Sequence, residues 1–172
     1  MTILPIITLN DPLLRGRSEP IERVDDELLR LADDMLETMY DAPGVGLAAV
    51  QVAVPRRLIV VDVAGDDEAP APICLINPQI LSLADEFRIH EEGCLSIPDV
   101  HVEIERPDGV RVGYIDKSGD EMEIEAEGLL ATVLQHEIDH LDGKLIVDFL
   151  SRLKRDIIVR KFKKIAKNGP SA

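Results

Sequence analysis

The chain has 172 residues, 45% hydrophobic but only 3% aromatic, with no Trp and two Cys. This length suits one domain over 1–172 with an aliphatic core. The composition argues against a disulfide-stapled secreted fold, and no apolar run approaches the roughly 20 residues that span a bilayer. The net charge is −14, yet eight Lys and Arg against Asp156 give residues 150–172 a charge of +7, so the other 149 residues carry −21. The acidic body discourages DNA binding, whereas the basic tail suits an anionic partner or the chain's own acidic surface. No N-terminal stretch has the basic and apolar make-up of a secretory signal, so a cytoplasmic, membrane-free protein is expected.

In chain order, residues 25–41 predict a helix. Asp25 and Asp26 suit its start, Leu28, Ala32, Met35 and Met39 recur at helical spacing, and Pro43 follows its end. Gly44, Gly46 and Ala49 fit a dinucleotide fingerprint, with Asp62 as its acid. That reading fails on context, because the fingerprint follows a strand and opens a long helix, whereas Pro55 stops any helix early. Residues 58–63 read as a strand, 65–72 as an acidic, proline-rich loop, and 73–83 as a strand broken at Asn77-Pro78. Gly93 before Cys94 and Pro98 after it predict a tightly turned segment rather than a strand centre. Val100, Val102 and Ile104 alternate, as do Met122, Ile124 and Ala126; 110–116 is strand-like, and 117–120 suits a hairpin turn. A helix is predicted over 127–141, ending at Asp142-Gly143, and another over 149–166 with an apolar stripe of Leu150, Leu153, Ile157 and Ile165. The pattern gives an α+β fold: antiparallel or mixed sheets around a central helix, flanked by N-terminal and C-terminal helices.

That central helix carries Gln135-His136-Glu137-Ile138-Asp139-His140. His136 and His140 lie one turn apart on one face, so both imidazoles can reach one metal ion. Glu137 lies beside them, placed to take a proton from a metal-bound water without being a ligand. Leu129, Leu130, Val133, Leu134, Ile138 and Leu141 surround the motif, and buried ionisable groups in such a setting are costly unless paired or metal-bound. A catalytic site also needs a third ligand. Residues 141–172 contain no His and no Glu, and Ile146 stands where a metzincin would place its third His. Asp142, Asp148 and Asp156 remain downstream; Cys74, His90, Cys94 and His101 are the upstream candidates. Cys74 sits in an apolar strand and reads as core. The missing downstream ligand favours Cys94 and argues against an ordinary metallopeptidase.

Three segments resemble peptide deformylase: Gly44-Val45-Gly46-Leu47-Ala48-Ala49-Val50-Gln51, then Glu92-Gly93-Cys94-Leu95-Ser96, then Gln135 to His140. They occur in the family's order and at about its spacing, between flanking helices that also fit. The resemblance implies a metal-dependent hydrolase that removes the N-formyl group from the initiator methionine of nascent chains. It implies Cys94, His136 and His140 as ligands of one divalent ion, Fe(II) by preference, with Zn, Ni or Co also acceptable to the set. Glu137 would be the general base, and the Gln51 side chain and the Leu95 N–H the oxyanion donors. Glu92 and Arg106 match charged positions of the family and would form an ion pair bracing the Cys94 loop. Leu129, Thr132, Val133 and Val45 are placed to line the methionine pocket, and the edge at Gly44 and Gly46 to pair with the peptide backbone. Asp139 is expected to be structural, and His90 and His101 to be non-ligands. The basic C-terminal helix is expected to meet the ribosome, where the substrate is born. A metal-stabilised binding module is the rival reading; it would need neither Glu137 nor Gln51.

Overall fold

The computed structural model describes residues 1–168. The elements are α1 (Asp26–Asp41), β1 (Gly46–Ala48), β2 (Leu58–Val61), β3 (Ile73–Leu83), β4 (Phe87–Cys94), β5 (Ile97–Pro107), β6 (Gly109–Ile115), β7 (Glu121–Glu127), α2 (Gly128–Leu141) and α3 (Arg152–Asn168). Short 3-10 turns lie at Pro12–Arg15, Ala49–Val52 and Ile146–Phe149. One sheet runs in the order β1-β2-β3-β6-β7, and β4 and β5 form a separate ribbon. Every neighbouring pair is antiparallel.

The alternation of β2 shows how the layers form. Leu58 and Val60 join Leu28, Met35 and Met39 of α1 on one face of the sheet. Ile59 and Val61 join Leu134 and Ile138 of α2 on the other, with Val102 and Ile104 of the ribbon. Helix α2 is therefore enclosed by sheet and ribbon, and ten of its fourteen residues are buried, so its histidines do not belong to a solvated face. It ends at Gly143, whose φ of 77° and close approach to the Arg15 carbonyl leave no room for a side chain. At the other end of the fold, Asp25 caps α1 by accepting from the Leu28 N–H at 2.9 Å.

Three expectations need correction. Strand β3 is not broken at Asn77-Pro78 but bulged there, with the register shifting between Ile76 and Gln79. Asn77, at a φ of 50°, exchanges two 2.8 Å hydrogen bonds with the Ile21 backbone. Residues 87–94, given no element from the sequence, form β4, whose apolar Phe87 and Ile89 are exposed while Glu92 is buried. The last helix begins at Arg152, not 149, after the turn at Ile146–Phe149. Of its expected stripe only Leu150, just before the helix, packs on the core; Leu153, Ile157 and Ile165 are exposed, whereas Phe162 is buried and Ile158 and Val159 pack against the same core. Residues 169–172 of the basic tail lie outside the described residues.

Candidate active site

Helix α2 holds His136 and His140 with their ring centroids 5.1 Å apart. Cys94, the last residue of β4, reaches them from the ribbon, its Sγ lying 3.3 Å from His140 Nε2. The potential ligand atoms of Cys94, His136 and His140 all fall within 4.8 Å of one another. A sulfur and two imidazoles, mostly buried and convergent, form a donor set that suits one divalent ion. Cys74, His90 and His101 are not part of this group.

The surroundings orient the donors. Glu92 Oε1 lies 2.9 Å from His136 Nδ1, which leaves Nε2 facing inward. Arg106 grips the same carboxylate through Nε at 2.6 Å and a second guanidinium nitrogen at 3.0 Å. Its remaining nitrogen donates to Asp139 Oδ2 at 2.9 Å. The pair is buried, with side-chain exposures of 8% for Arg106 and 4% for Glu92, so it is not the surface bridge such residues usually make. Burial opposes the charge on Glu92, but the hydrogen bonds from His136 and Arg106 outweigh it and hold the carboxyl below its ordinary range. Burial likewise opposes a charge on His136, yet Cys94, Glu92 and Glu137 together raise it well above the usual histidine value. Burial and the neighbouring His136 keep His140 well below that value.

Glu137 is 4% exposed, its Oε1 lies 3.9 Å from His136 Nε2, and its Oε2 has no hydrogen-bond partner. Burial pushes its pKa up to about 7, against the pull of the His136 charge; a cation in the adjacent donor set would pull it down again. Room for this carboxylate depends on Gly46: a Cβ there would stand 2.7 Å from Glu137 Oε1 and 2.8 Å from a Val133 methyl.

Gln51 is fixed by the 3-10 turn at Ala49–Val52. Its Oε1 accepts from the Ala48 N–H at 2.9 Å, and its Nε2 donates to Ser96 Oγ at 3.0 Å and lies 3.7 Å from Cys94 Sγ. Leu95 follows Cys94 in the β4–β5 turn. A cavity of about 610 Å³ opens between the ribbon, α2 and the edge at β1. Gly44, Val45, Gly46, Leu129, Thr132 and Val133 line it, together with Cys94, Leu95, His136 and Glu137. Gln51 and Arg106 are not among the residues that line it, while His90 and His101 of the ribbon are. Sequence reasoning missed three features here: Glu92 as the partner of His136, Ser96 as the partner of Gln51, and Asp139 as the third anchor of Arg106. Reading 87–94 as a strand would have exposed the first, since Glu92 and Cys94 then point the same way.

A family model described as polypeptide deformylase matches residues 3–156. The peptide deformylase of Mesorhizobium japonicum is 60% identical over 168 residues, covering 98% of this chain and 96% of that protein. The Agrobacterium fabrum peptide deformylase is 58% identical over 167 residues, covering 97% and 98% respectively. Among solved structures, peptide deformylase from Ehrlichia chaffeensis superposes with a TM-score of 0.91 at 41% identity, covering 97% of this chain and 98% of that one. The complex of the Ehrlichia chaffeensis enzyme with actinonin gives a TM-score of 0.90 at 44% identity, covering 95% and 98%. With sequence, fold and coverage agreeing along nearly its whole length, the chain belongs to the polypeptide deformylase family.

Proposed function

We propose the following route by which this chain, acting as one catalytic domain over 1–172, removes the N-formyl group from the N-terminal methionine of newly made proteins. A divalent ion held by Cys94, His136 and His140 would polarise the formyl carbonyl and ease deprotonation of water in the site. Fe(II) is our choice for the native ion, and Zn, Ni or Co would suit the same donors. Glu137 takes a proton as water oxygen adds to the formyl carbon. The carbonyl electron pair moves onto oxygen, where Gln51 Nε2 and the Leu95 N–H donate hydrogen bonds. Collapse breaks the carbon–nitrogen bond, Glu137 delivers its proton to the departing amine, and formate and a free α-amino group result.

Glu92 and Arg106 hold His136 in place during this exchange. Leu129, Thr132, Val133 and Val45 receive the methionine side chain, while the edge at Gly44 and Gly46 pairs with the peptide backbone, so later residues need not be read. Acetyl is refused by steric exclusion, because one methyl in an apolar contact is worth only about 1–3 kcal/mol. The observation that carries this reading is the buried, partnerless Glu137 oxygen beside the three convergent donors. Replacing Glu137 with Gln tests it. We expect turnover of a formyl-methionyl peptide to fall by about 10²–10⁴ with metal content unchanged. Near-parental turnover at full metal loading would remove Glu137 from the role.

The partner proposal is separate. Arg152, Lys154, Arg160, Lys161, Lys163, Lys164 and Lys167 are exposed on α3. They form a basic surface suited to ribosomal RNA or an acidic ribosomal protein near emerging chains, and we propose a cytoplasmic setting to go with that partner. No helix among the described residues is long and apolar enough to cross a membrane.

A further inference from the structure

Outside the cavity, beside the buried Arg106, the Phe149 ring lies close to two cations. The Arg106 Cζ is 4.9 Å from its centroid, and the Lys144 Nζ is 4.4 Å from it. Neither Phe149 nor Lys144 lines the cavity, so neither meets substrate directly. Phe149 is 37% exposed, so part of its ring is at the surface while Arg106 beside it is buried. Its position makes sense as a cover. Arg106 beneath it has committed its donors to Glu92 and Asp139, and Glu92 in turn holds His136 Nδ1. The chain of contacts runs from the surface turn at Ile146–Phe149 to a metal-site imidazole through two ionic side chains.

We infer that Phe149 is a positioning residue for the metal centre: its ring face holds and shields the Arg106 guanidinium, which fixes Glu92 and through it the His136 imidazole. This inference rests on the metal-centre reading above. The physical basis is twofold. A ring face attracts a guanidinium lying against it, more strongly where water is kept away. The same cover keeps the Arg106–Glu92 bridge in a low-dielectric setting, where its two parallel hydrogen bonds hold the carboxylate in one orientation. Without the ring, water reaches the guanidinium, Glu92 gains alternative rotamers, and the His136 Nε2 points at the metal for less of the time. Lys144 shares the ring, and Asp139 anchors Arg106 from α2 at 2.9 Å.

The test is the rate at which the zinc-loaded full chain loses its metal to an excess of a chromogenic zinc chelator, followed by the colour of the zinc–chelator complex, for the parent and for Phe149→Leu and Phe149→Tyr. Leu keeps an apolar side chain but has no ring face, whereas Tyr keeps the face. We expect Phe149→Leu to lose zinc about three- to tenfold faster and Phe149→Tyr to stay within about twofold of the parent. Thermal melts of the apo chains run alongside, and should Phe149→Leu melt below the assay temperature, Phe149→Met carries the same comparison. Equal rates for Leu or Met and parent would overturn the inference, as would a Tyr variant that loses zinc as fast as the Leu variant. A parent chain that binds no zinc at all would overturn the metal-centre reading, and this inference with it.

Discussion

At the scale of single residues, the site works through side chains whose freedom has been removed. Gly46 shows how small the margin is. A methyl group at that position would meet both Glu137 Oε1 and Val133, and neither can retreat easily, because both are buried in α2. Gly46→Ala should therefore lower turnover at least tenfold while destabilising the fold by only about 1–3 kcal/mol, the usual range for overpacking. Steady-state kinetics beside urea melts separates the two effects; unchanged kinetics would mean that Glu137 tolerates displacement. Glu92→Gln probes the other flank. The amide can still accept from His136 but loses its charge against Arg106, and metal affinity should fall about 10–100-fold in a chelator competition. Retained affinity would reduce the Glu92–Arg106 pair to a packing role. The paired histidines and Glu137 were legible in the sequence because spacing on a helix fixes direction. Asp139 as an anchor of Arg106 was not, since that contact joins α2 to a strand 33 residues away.

At the scale of elements, α2 and the hairpin of β4 and β5 divide the site: the helix supplies two imidazoles and Glu137, the proposed base, and the hairpin supplies the sulfur and Glu92. The helix announced itself through its apolar surround and its Gly143 stop. The first strand of the hairpin did not, because Phe87, Arg88 and Ile89 are all exposed and its inward residues are His90, Glu92 and Cys94, so the usual apolar alternation is missing. Helix α3 misled for a related reason. Its sequence offers two apolar stripes, and only tertiary contact chose the one containing Phe162. That choice affects how the ribosome proposal is tested. Deleting α3 would uncover the core beneath Phe162, so charge reversal is the cleaner change. Replacing Lys161, Lys163, Lys164 and Lys167 with Glu should sharply reduce co-sedimentation with ribosomes and leave turnover of a short formyl peptide near the parental value. The parent's binding should also weaken steeply with salt, as counterion release requires. Undiminished co-sedimentation of the reversed variant would leave α3 as a solvated helix.

At the scale of the whole molecule, the α+β architecture was readable from grouped strands between three helices, but the separation of sheet and ribbon was not, because pairing order is set by contacts distant in sequence. One such contact ties the two ends of the fold together. Arg15, near the N-terminus, bonds Asp148 at 2.7 Å, and the Leu145 N–H adds a bond at 2.9 Å. Burial raises the Asp148 carboxyl, but these donors outweigh it and hold the pKa below the ordinary value. A depressed carboxylate stabilises the fold above its unfolded pKa of about 4 and loses that contribution as pH falls through the lower native value. The stability gap between the parent and Asp148→Asn should therefore be widest near neutral pH and close below about pH 4 in urea melts; a gap independent of pH would assign it to hydrogen bonding alone. The central claim is that deformylation runs on one ion held by Cys94, His136 and His140. Its most direct test is an anaerobic titration of the chelator-stripped chain with Fe(II), reading turnover of a formyl-methionyl peptide at each addition. The account predicts almost no turnover without metal and a rise that levels off at one equivalent per chain. Full turnover in the metal-free chain would contradict it.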